Sequence, residues 1–172
     1  KGFYSITKRT AEQLIISYCE TFNIKYRILR LCNVYGSSDN KCSKKKNAMQ
    51  FLINEVVNNR PIDLYNGGED VRDFMHIKDV VRACKLVCEK GEINNIYNIG
   101  TGVPTNFKQI IRYVKEKTSS NSDVFDVDPP DFHKVVQIDK MYLDNKKLTS
   151  LGFEVEYSVF KGIDELINQS RV

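Results

Sequence analysis

Apolar residues in the first 65 positions alternate between helical spacing and short extended runs. The stretch 4–22 carries them at spacings of one, three and four residues, which is typical of one face of a helix: Leu14, Ile15, Tyr18 and Phe22. The runs 26–31 and 34–36 predict strands, because they are short and favour extended backbone. The same patterns predict a helix over 48–57 and a strand over 61–65.

The alternation continues along the chain. Residues 71–77 predict an extended segment, and Asp79 is expected to cap a helix that ends near Lys90. Residues 96–99 predict another strand. Since helices and strands alternate in this way, we expect an α/β fold with a partly parallel sheet.

The last third predicts shorter elements. Thr105 or Asn106 is expected to cap a helix whose apolar residues follow the i, i+3, i+4, i+7 pattern. The remaining predicted elements are strands at 124–127 and 135–138 and helices at 144–150 and 159–167.

Size and composition limit the class of protein. The chain has 172 residues, of which 41% are hydrophobic, so it is expected to be globular and to form one domain or part of one. No apolar run approaches the roughly 20 residues that a membrane-spanning helix needs, and no signal peptide is recognisable. The net charge of +4 suits a small anionic ligand and is too dispersed to indicate nucleic acid. Neither a membrane nor a nucleic acid is therefore expected as a partner.

The cysteines predict a reducing compartment. They are five in number, and no two of them form a CxxC motif, so we expect free thiols and a cytoplasmic location. Cys84 and Cys88 share a helix face, but with only two histidines in the chain, buried thiols are favoured and no metal is expected. Lys41 and the lysines at 44–46 are interpreted as a solvated loop.

The first predicted helix begins with two residues that can move protons. Tyr4 and Lys8 are four residues apart, so on a helix they lie on one face and can point into one site. A neighbouring cation stabilises a phenolate, which lets a tyrosine accept and return a proton near neutral pH. Taken alone, the spacing also describes an ordinary exposed pair, so it does not establish catalysis.

Five segments in matching order resemble the C-terminal half of an extended short-chain dehydrogenase/reductase, and most closely the nucleotide-sugar epimerases and dehydratases. The resemblance covers nearly the whole chain. It rests on YSITK at 4–8, RLCNVYG at 30–36, NGG at 66–68 with VRDFMHIKD at 71–79, YNIGTG at 97–102 and LTSLGF at 148–153.

This resemblance implies a catalytic pair and a cofactor. Tyr4 would be the acid/base that takes a proton from a sugar hydroxyl, and Lys8 would hydrogen-bond the nicotinamide ribose. The implied cofactor is NAD or NADP, and both Tyr4 and Lys8 would contact it. The implied substrate is a nucleotide-diphosphate sugar.

The resemblance also implies the residues that bind this substrate. Asn33 and Asn47 would contact the sugar nucleotide, and Arg72 would bind its diphosphate, because a guanidinium is a fixed cation with several donors. Many relatives carry a further phosphate-binding arginine late in the chain. His133 and Lys134 are the nearby basic candidates for that role here.

The implied fold is the C-terminal part of a Rossmann-type parallel sheet domain, interleaved with a small mixed α/β substrate-binding domain. Residues 1–36 and 78–100 would belong to the dinucleotide-binding domain, and residues 37–77 and 101–172 to the substrate-binding domain. The family's glycine-rich cofactor loop has no counterpart here, because the segment 100–102 lacks the third glycine of the pattern. The isolated chain is therefore expected to be an inactive fragment.

The expected function is that of an NAD(P)-dependent nucleotide-sugar epimerase acting at sugar C4, since the motif around His76 resembles epimerases slightly more. One alternative is a 4,6-dehydratase or reductase of the same family. Another is a non-catalytic sugar-nucleotide-binding fragment or a subunit of a split enzyme. The expected protein partner is a second copy bound through the helix at 4–22, or a chain that carries the missing N-terminal half.

Overall fold

The computed structural model describes residues 2–36, 47–131, 134 and 138–170, in which helices and short strands alternate. The helices are α1 (Phe3–Thr21), α2 (Ala48–Val57), α3 (Ile77–Lys90), α4 (Phe107–Thr118), α5 (Lys146–Thr149) and α6 (Val159–Ser170). The strands are β1 (Arg27–Leu31), β2 (Asn33–Tyr35), β3 (Ile62–Tyr65), β4 (Val71–Arg72), β5 (Phe74–His76), β6 (Asn95–Ile99), β7 (Thr105–Asn106), β8 (Val124–Val127) and β9 (Lys140–Met141). This alternation confirms the predicted α/β class.

The strands pair mostly in parallel, as the sequence predicts. Strand β1 pairs with β6, β2 with β5 and β3 with β8, each in parallel. Strand β4 lies between β7, which is antiparallel to it, and β9, which is parallel. In the register of β2 and β5, Asn33 lies opposite Phe74.

Two hydrophobic clusters form the core of the described residues. The first brings α2, α4 and α6 together, and its fully buried members include Ile53, Val56, Ile110, Val114 and Ile163. The second surrounds α3 and β6, and its members include Met75, Ala83, Val87, Ile99 and Leu148. On β5, Phe74 belongs to the first cluster and its neighbour Met75 to the second. Because successive side chains of a strand point to opposite faces, β5 lies between the two cores.

Helix α1 lies outside both clusters. Cys19 is its one buried residue in the described structure. The apolar stripe that predicts this helix is therefore helical but exposed: Leu14, Ile15, Tyr18 and Phe22 are all on the surface. None of the described helices combines the length and the apolar character that crossing a bilayer requires.

The predicted N-cap is confirmed for α4 but not for α3. Asn106, one of the two predicted candidates, caps α4 in a capping box with Gln109. The prediction that Asp79 caps α3 is wrong. The His76 ring caps this helix by accepting from the Lys78 N–H at 3.4 Å, and Asp79 is buried in the first turn, where it accepts from the backbone of residues 156 and 157.

Some of the predicted features fall outside the described residues. The lysines at 41 and 44–46 lie there, and so does most of the strand predicted at 135–138. The strand observed in that region is β9, which pairs with Val71 and Arg72. The helix predicted at 144–150 corresponds to α5, which is shorter than predicted.

Candidate active site

A cleft of about 1170 Å³ opens between α1, the end of β1, the start of β2 and the start of α2. Four of the residues predicted to function together lie on its wall: Tyr4, Lys8, Asn33 and Asn47. The lining also includes apolar side chains, namely Met49, Phe74, Phe107, Ile138 and Met141. The wall of the cleft therefore combines polar groups, among them a phenol and an ammonium, with apolar side chains.

Tyr4 and Lys8 occupy the first turns of α1 and face the cleft together. The Lys8 Nζ lies 5.6 Å from the centre of the Tyr4 ring, and 75% of Tyr4 is exposed. The spacing of four residues places both side chains on one helix face, as predicted. An exposed phenol beside an ammonium can give a proton to a bound ligand or take one from it.

Asn33 begins β2, directly after the end of β1. Its backbone N–H and its side-chain Nδ2 both donate to the Asp73 carbonyl, at 3.0 and 3.1 Å. These bonds fix the plane of the Asn33 amide at the wall of the cleft. Polar side chains at the carboxyl ends of parallel strands are where α/β proteins collect their ligands.

Asn47 has a structural task in addition to its place in the cleft. Its Oδ1 caps α2 by accepting from the Gln50 N–H at 3.4 Å, and its Nδ2 contacts the Gln50 side chain. Gln50 in turn donates to the Gly36 carbonyl at 2.8 Å. Asn47 therefore connects α2 to the end of β2.

The remaining predicted binding residues are not on the described wall of the cleft. Arg72 donates to the carbonyls of Val71 and Ile138 at 2.8 and 2.7 Å, and its Nη2 lies 3.5 Å from Asp70. Ile138 does line the cleft, so Arg72 is one residue away from it. Lys134 is exposed and its Nζ lies 3.6 Å from Asp131 Oδ1. His133 lies outside the described residues.

Asp73 is a buried carboxylate that sequence reasoning missed. It accepts from the Thr101 N–H and hydroxyl at 3.0 and 2.6 Å, from the Gly102 N–H at 3.1 Å and from the Leu143 N–H at 3.2 Å. A side chain at Gly100 would collide with this carboxylate, since a Cβ there would lie 2.4 Å from Oδ2. Asp73 therefore ties the turn after β6 and the segment after β9 to the strand that orients Asn33.

Cys32 lies in the cleft wall beside this carboxylate. Burial and the nearby charge of Asp73 raise the pKa of its thiol to about 12. The thiol is therefore protonated at neutral pH, which makes it a poor nucleophile. No group of three or more His, Cys, Asp or Glu side chains within residues 2–36, 47–131 and 138–170 could hold a metal ion.

Comparison with known families connects this cleft to an enzyme family. The family model described as "NAD dependent epimerase/dehydratase family" matches residues 1–100, more than half of the 172-residue chain. The chain belongs to this family. The NAD-dependent epimerase/dehydratase family is the one that the motifs at 4–8, 30–36 and 71–79 predict.

Relatives within the epimerase/dehydratase family have several activities. A dTDP-4-dehydro-6-deoxyglucose reductase of Escherichia coli is 29% identical over 171 residues, which cover 98% of this chain and 52% of the reductase. A dTDP-D-glucose 4,6-dehydratase of Dictyostelium discoideum is 38% identical over 98 residues, 57% of this chain and 22% of that protein. Family membership therefore does not determine the individual reaction.

A solved structure confirms the Rossmann-type α/β fold. The UDP-glucose 4-epimerase of Thermotoga maritima, solved with UDP-glucose, superposes with a TM-score of 0.85 at 27% identity, over 98% of this chain and 53% of the epimerase. The chain therefore spans about half the length of the reductase and of the epimerase.

Proposed function

We propose that the protein carrying this chain is an NAD-dependent nucleotide-sugar 4-epimerase in which Tyr4 is the acid/base. The observation that carries the proposal is the cleft, whose wall includes Tyr4, Lys8, Asn33 and Asn47. The similarity to a UDP-glucose 4-epimerase over nearly the whole chain supports it further.

The residues of the cleft fit one end of the implied cofactor, NAD or NADP. Lys8 presents an ammonium toward open space, where it can donate to the ribose hydroxyls next to the nicotinamide, and Tyr4 stands beside it. Bound there, the cofactor would accept a hydride from a sugar carbon and return it. None of the 172 residues forms the glycine-rich loop that would hold the cofactor's pyrophosphate, so this chain is proposed to supply the nicotinamide end alone.

In the proposed reaction, Tyr4 moves the proton. Its phenolate takes the proton of the C4 hydroxyl while the hydrogen on C4 leaves as hydride, and the sugar becomes a 4-ketone. Lys8 stabilises the phenolate by its positive charge, which is the usual way to tune a general base. When hydride returns to the opposite face of C4, Tyr4 gives its proton back to the oxygen, and the product is the C4 epimer.

Substrate binding is proposed to use the wall of the cleft together with basic residues that are not on its described wall. Asn33 and Asn47 would contact the sugar nucleotide, and Arg72, with His133 and Lys134, would bind the diphosphate. Arg72 is already close to Asp70, at 3.5 Å, so a diphosphate would have to compete with that carboxylate. A bidentate guanidinium–phosphate contact would favour this exchange, because such contacts are among the strongest hydrogen bonds in proteins.

We also propose that the chain divides into two interleaved domains, with residues 1–36 and 78–100 on the cofactor side and residues 37–77 and 101–172 on the substrate side. The two hydrophobic clusters support this division, because one surrounds α3 and β6 and the other joins α2, α4 and α6. The assignment is not strict, since the second cluster also includes Leu148 and Phe153.

A 4,6-dehydratase is the second candidate, and a reductase of the same family is the third. The dehydratase is favoured by the 38% identity with the Dictyostelium enzyme over 98 residues. His76 is fully buried and does not line the cleft. The motif around His76 therefore favours an epimerase only by resemblance, and not through any contact with the candidate site.

The decisive experiment uses the native gene product with NAD and a panel of UDP-, dTDP-, GDP- and CDP-sugars. We expect NMR to show a C4 epimer as the product. The Tyr4→Phe variant should lose activity by on the order of 10² to 10⁴-fold, the usual contribution of a general acid/base. Tyr18→Phe is the control, because Tyr18 is also exposed on α1 but does not line the cleft.

The outcomes of this assay separate the candidates. A 4-keto-6-deoxy sugar would identify a dehydratase, and net reduction of a keto sugar would identify a reductase. Binding of a sugar nucleotide without turnover would favour a non-catalytic binding protein. Turnover only after mixing with a second polypeptide would identify a split enzyme.

We propose that the helix α1 makes the protein contact, either with a second copy or with a chain that supplies the cofactor loop. Its exposed apolar residues support this. The 172 residues by themselves are proposed to be inactive and to be located in the cytoplasm, and both statements stay predictions.

A further inference from the structure

The helix that carries Tyr4 and Lys8 has few contacts with the rest of the described structure. Residues 3–11 of α1 are all exposed. In α1, Glu12 and Ile16 are partly buried and Cys19 is buried. These three residues form one narrow strip along the helix. Exposed turns at a helix end move readily, so something must fix the direction of the first turns if they carry catalytic groups.

Glu12 makes the first firm connection. Arg30 of β1 donates to it twice, from Nε to Oε1 at 2.9 Å and from Nη2 to Oε2 at 2.6 Å. Within the described residues, the other side-chain hydrogen bonds of α1 stay inside the helix. The Arg30 guanidinium lowers the pKa of the Glu12 carboxyl, so the pair remains charged at neutral pH.

The position of this pair connects it to the candidate site. Tyr4, Lys8 and Glu12 follow one another at intervals of four residues, so they lie along one face of α1. Glu12 and Arg30 both line the cleft. Arg30 lies three residues before Asn33, on the strand that leads to it. A bidentate contact fixes orientation as well as distance.

We propose that Glu12 and Arg30 are positioning residues, whose bidentate contact holds the first turns of α1, and with them Tyr4 and Lys8, at a fixed distance from the strand end that carries Asn33. This inference rests on the proposed function. The pair does not touch the reacting atoms, so it acts through Tyr4 and Lys8. Its loss should therefore lower kcat and leave the KM for the sugar nucleotide nearly unchanged.

The chain offers a control pair with nearly the same geometry. Arg60 donates to Glu55 at 2.9 and 2.6 Å, and the two side chains are 49% and 18% exposed, against 50% and 17% for Arg30 and Glu12. The control pair does not line the cleft. Any general effect of removing an exposed ion pair should therefore be equal in the two cases.

The test compares Glu12→Gln, Arg30→Gln and the double variant with Glu55→Gln and Arg60→Gln, all in the native gene product. We expect kcat to fall on the order of 10- to 100-fold for the cleft pair, the effect of misplacing a catalytic group by about 1 Å. The double variant should lose no more kcat than the worse of the two single variants, because each single variant already removes the same contact. The control variants should keep kcat within about twofold, as expected for a surface pair.

A second cycle asks whether the effect passes through Tyr4. In a Tyr4→Phe background, Arg30→Gln should cause a smaller further loss of kcat than in wild type, because one of the two groups that it positions is gone. The proposal would be overturned if Tyr4→Phe and Arg30→Gln lowered kcat independently, so that their effects multiplied. It would also be overturned if the cleft-pair variants lost no more kcat than the control-pair variants. A rise in KM with an unchanged kcat would overturn it too.

Failure of the proposed function is distinguishable from failure of this inference. If the wild-type protein turns over no sugar nucleotide, the proposed function is wrong, and the positioning effect is read by hydrogen exchange instead. The amides of the first turns of α1 should then exchange faster in Arg30→Gln than in wild type or in Arg60→Gln. Equal exchange in the three proteins would contradict the inference.

Discussion

His76 is enclosed by aromatic side chains and has one ring nitrogen without a hydrogen bond. It stacks on Tyr157 at 4.5 Å between ring centres and meets Tyr35 edge-on at 5.3 Å. Its Nε2 is buried without a hydrogen-bond partner among the described residues, and Glu165 lies 3.8 Å away. Burial lowers the pKa of His76, and the charge of Glu165 opposes this effect only in part. The folded protein therefore favours the neutral ring.

This burial predicts a loss of stability in mild acid. In the unfolded chain the pKa of histidine is about 6.5, and in the folded chain the pKa of His76 is lower. Between these two values the unfolded state binds a proton that the folded state does not. Unfolding therefore becomes easier as the pH falls through this range. Above that range both states are neutral and His76 contributes nothing to the pH dependence. Urea unfolding at about pH 7.5 and about pH 5.5 should show a smaller acid loss in His76→Gln than in wild type. Parallel losses in the two proteins would contradict the prediction.

Asp73 is a second residue whose role depends on distant partners. Its hydrogen-bond donors come from residues 28, 29 and 70 positions away in sequence, so neither periodicity nor a local motif could identify them. The sequence shows only an acid beside Arg72. In the structure Arg72 lies near Asp70 instead, and Asp73 is fully buried.

Replacement of Asp73 by asparagine should destabilise the fold strongly. An amide keeps one acceptor oxygen and turns an NH₂ group toward buried donors, so at least one donor loses its partner. We expect the free energy of unfolding to fall by about 2–5 kcal/mol, from lost charge-assisted bonds and an unpaired buried N–H. Asp126→Asn is the control, because Asp126 is exposed and accepts from the single N–H of Gly67. A loss in Asp73→Asn no larger than in the control would contradict this account.

Helices were predicted better than strands, for a physical reason. The bounds of α2 agree with the prediction, because Asn47 supplies a cap and the apolar residues keep helical spacing. Strands such as β7 and β9 are two residues long and exist only through pairing with distant segments. A pattern of period two needs more residues than these strands contain, so they could not be predicted from the sequence.

The contact between α6 and β2 is another element-level feature that spacing does not reveal. A Cβ at Gly162 of α6 would lie 2.1 Å from the hydroxyl of Tyr35, which is buried and donates to the Val159 carbonyl at 3.3 Å. The glycine is therefore needed for close packing of the helix, although glycine is a poor helix former.

Gly162→Ala should lower the free energy of unfolding by about 1–3 kcal/mol, the usual cost of overpacking a core. Tyr35→Phe removes the closest atom, so the double variant should lose less than the sum of the two single variants. Chemical denaturation of the four proteins measures this coupling. A stabilising Gly162→Ala would show that helix propensity outweighs the contact.

At the scale of the molecule, the alternation of helices and strands predicted the α/β class and the parallel pairing. Five short motifs predicted the family. The motifs also named four residues of the cleft wall. They did not predict that Arg72 points to Asp70 and Ile138, because a motif records which residue is present and not which neighbours compete for it. The tie between Glu12 and Arg30 joins residues 18 positions apart and was missed for the same reason.

Several apolar side chains of α1 and of the end of β1 are exposed in the described structure. Leu14 and Tyr18 of α1 are 66% and 59% exposed, Phe22 at the C-cap of this helix is 60% exposed, and Leu31 at the end of β1 is 51% exposed. Within the described residues β1 pairs with β6 alone, which leaves its other edge without a strand. Exposed apolar patches and free strand edges both promote association.

We therefore expect the 172-residue chain to associate in solution, and the apolar face of α1 to be the cause. Light scattering after size exclusion should give a mass above 19.9 kDa that rises with concentration. The triple variant Leu14→Ser, Tyr18→Ser, Phe22→Ser should shift the chain toward monomer, because it removes apolar surface from one face. The control Val81→Ser, Val103→Ser, Phe125→Ser removes exposed apolar side chains elsewhere and should not. A monodisperse wild-type monomer would contradict the expectation, and equal effects of the two triple variants would show that α1 has no special role.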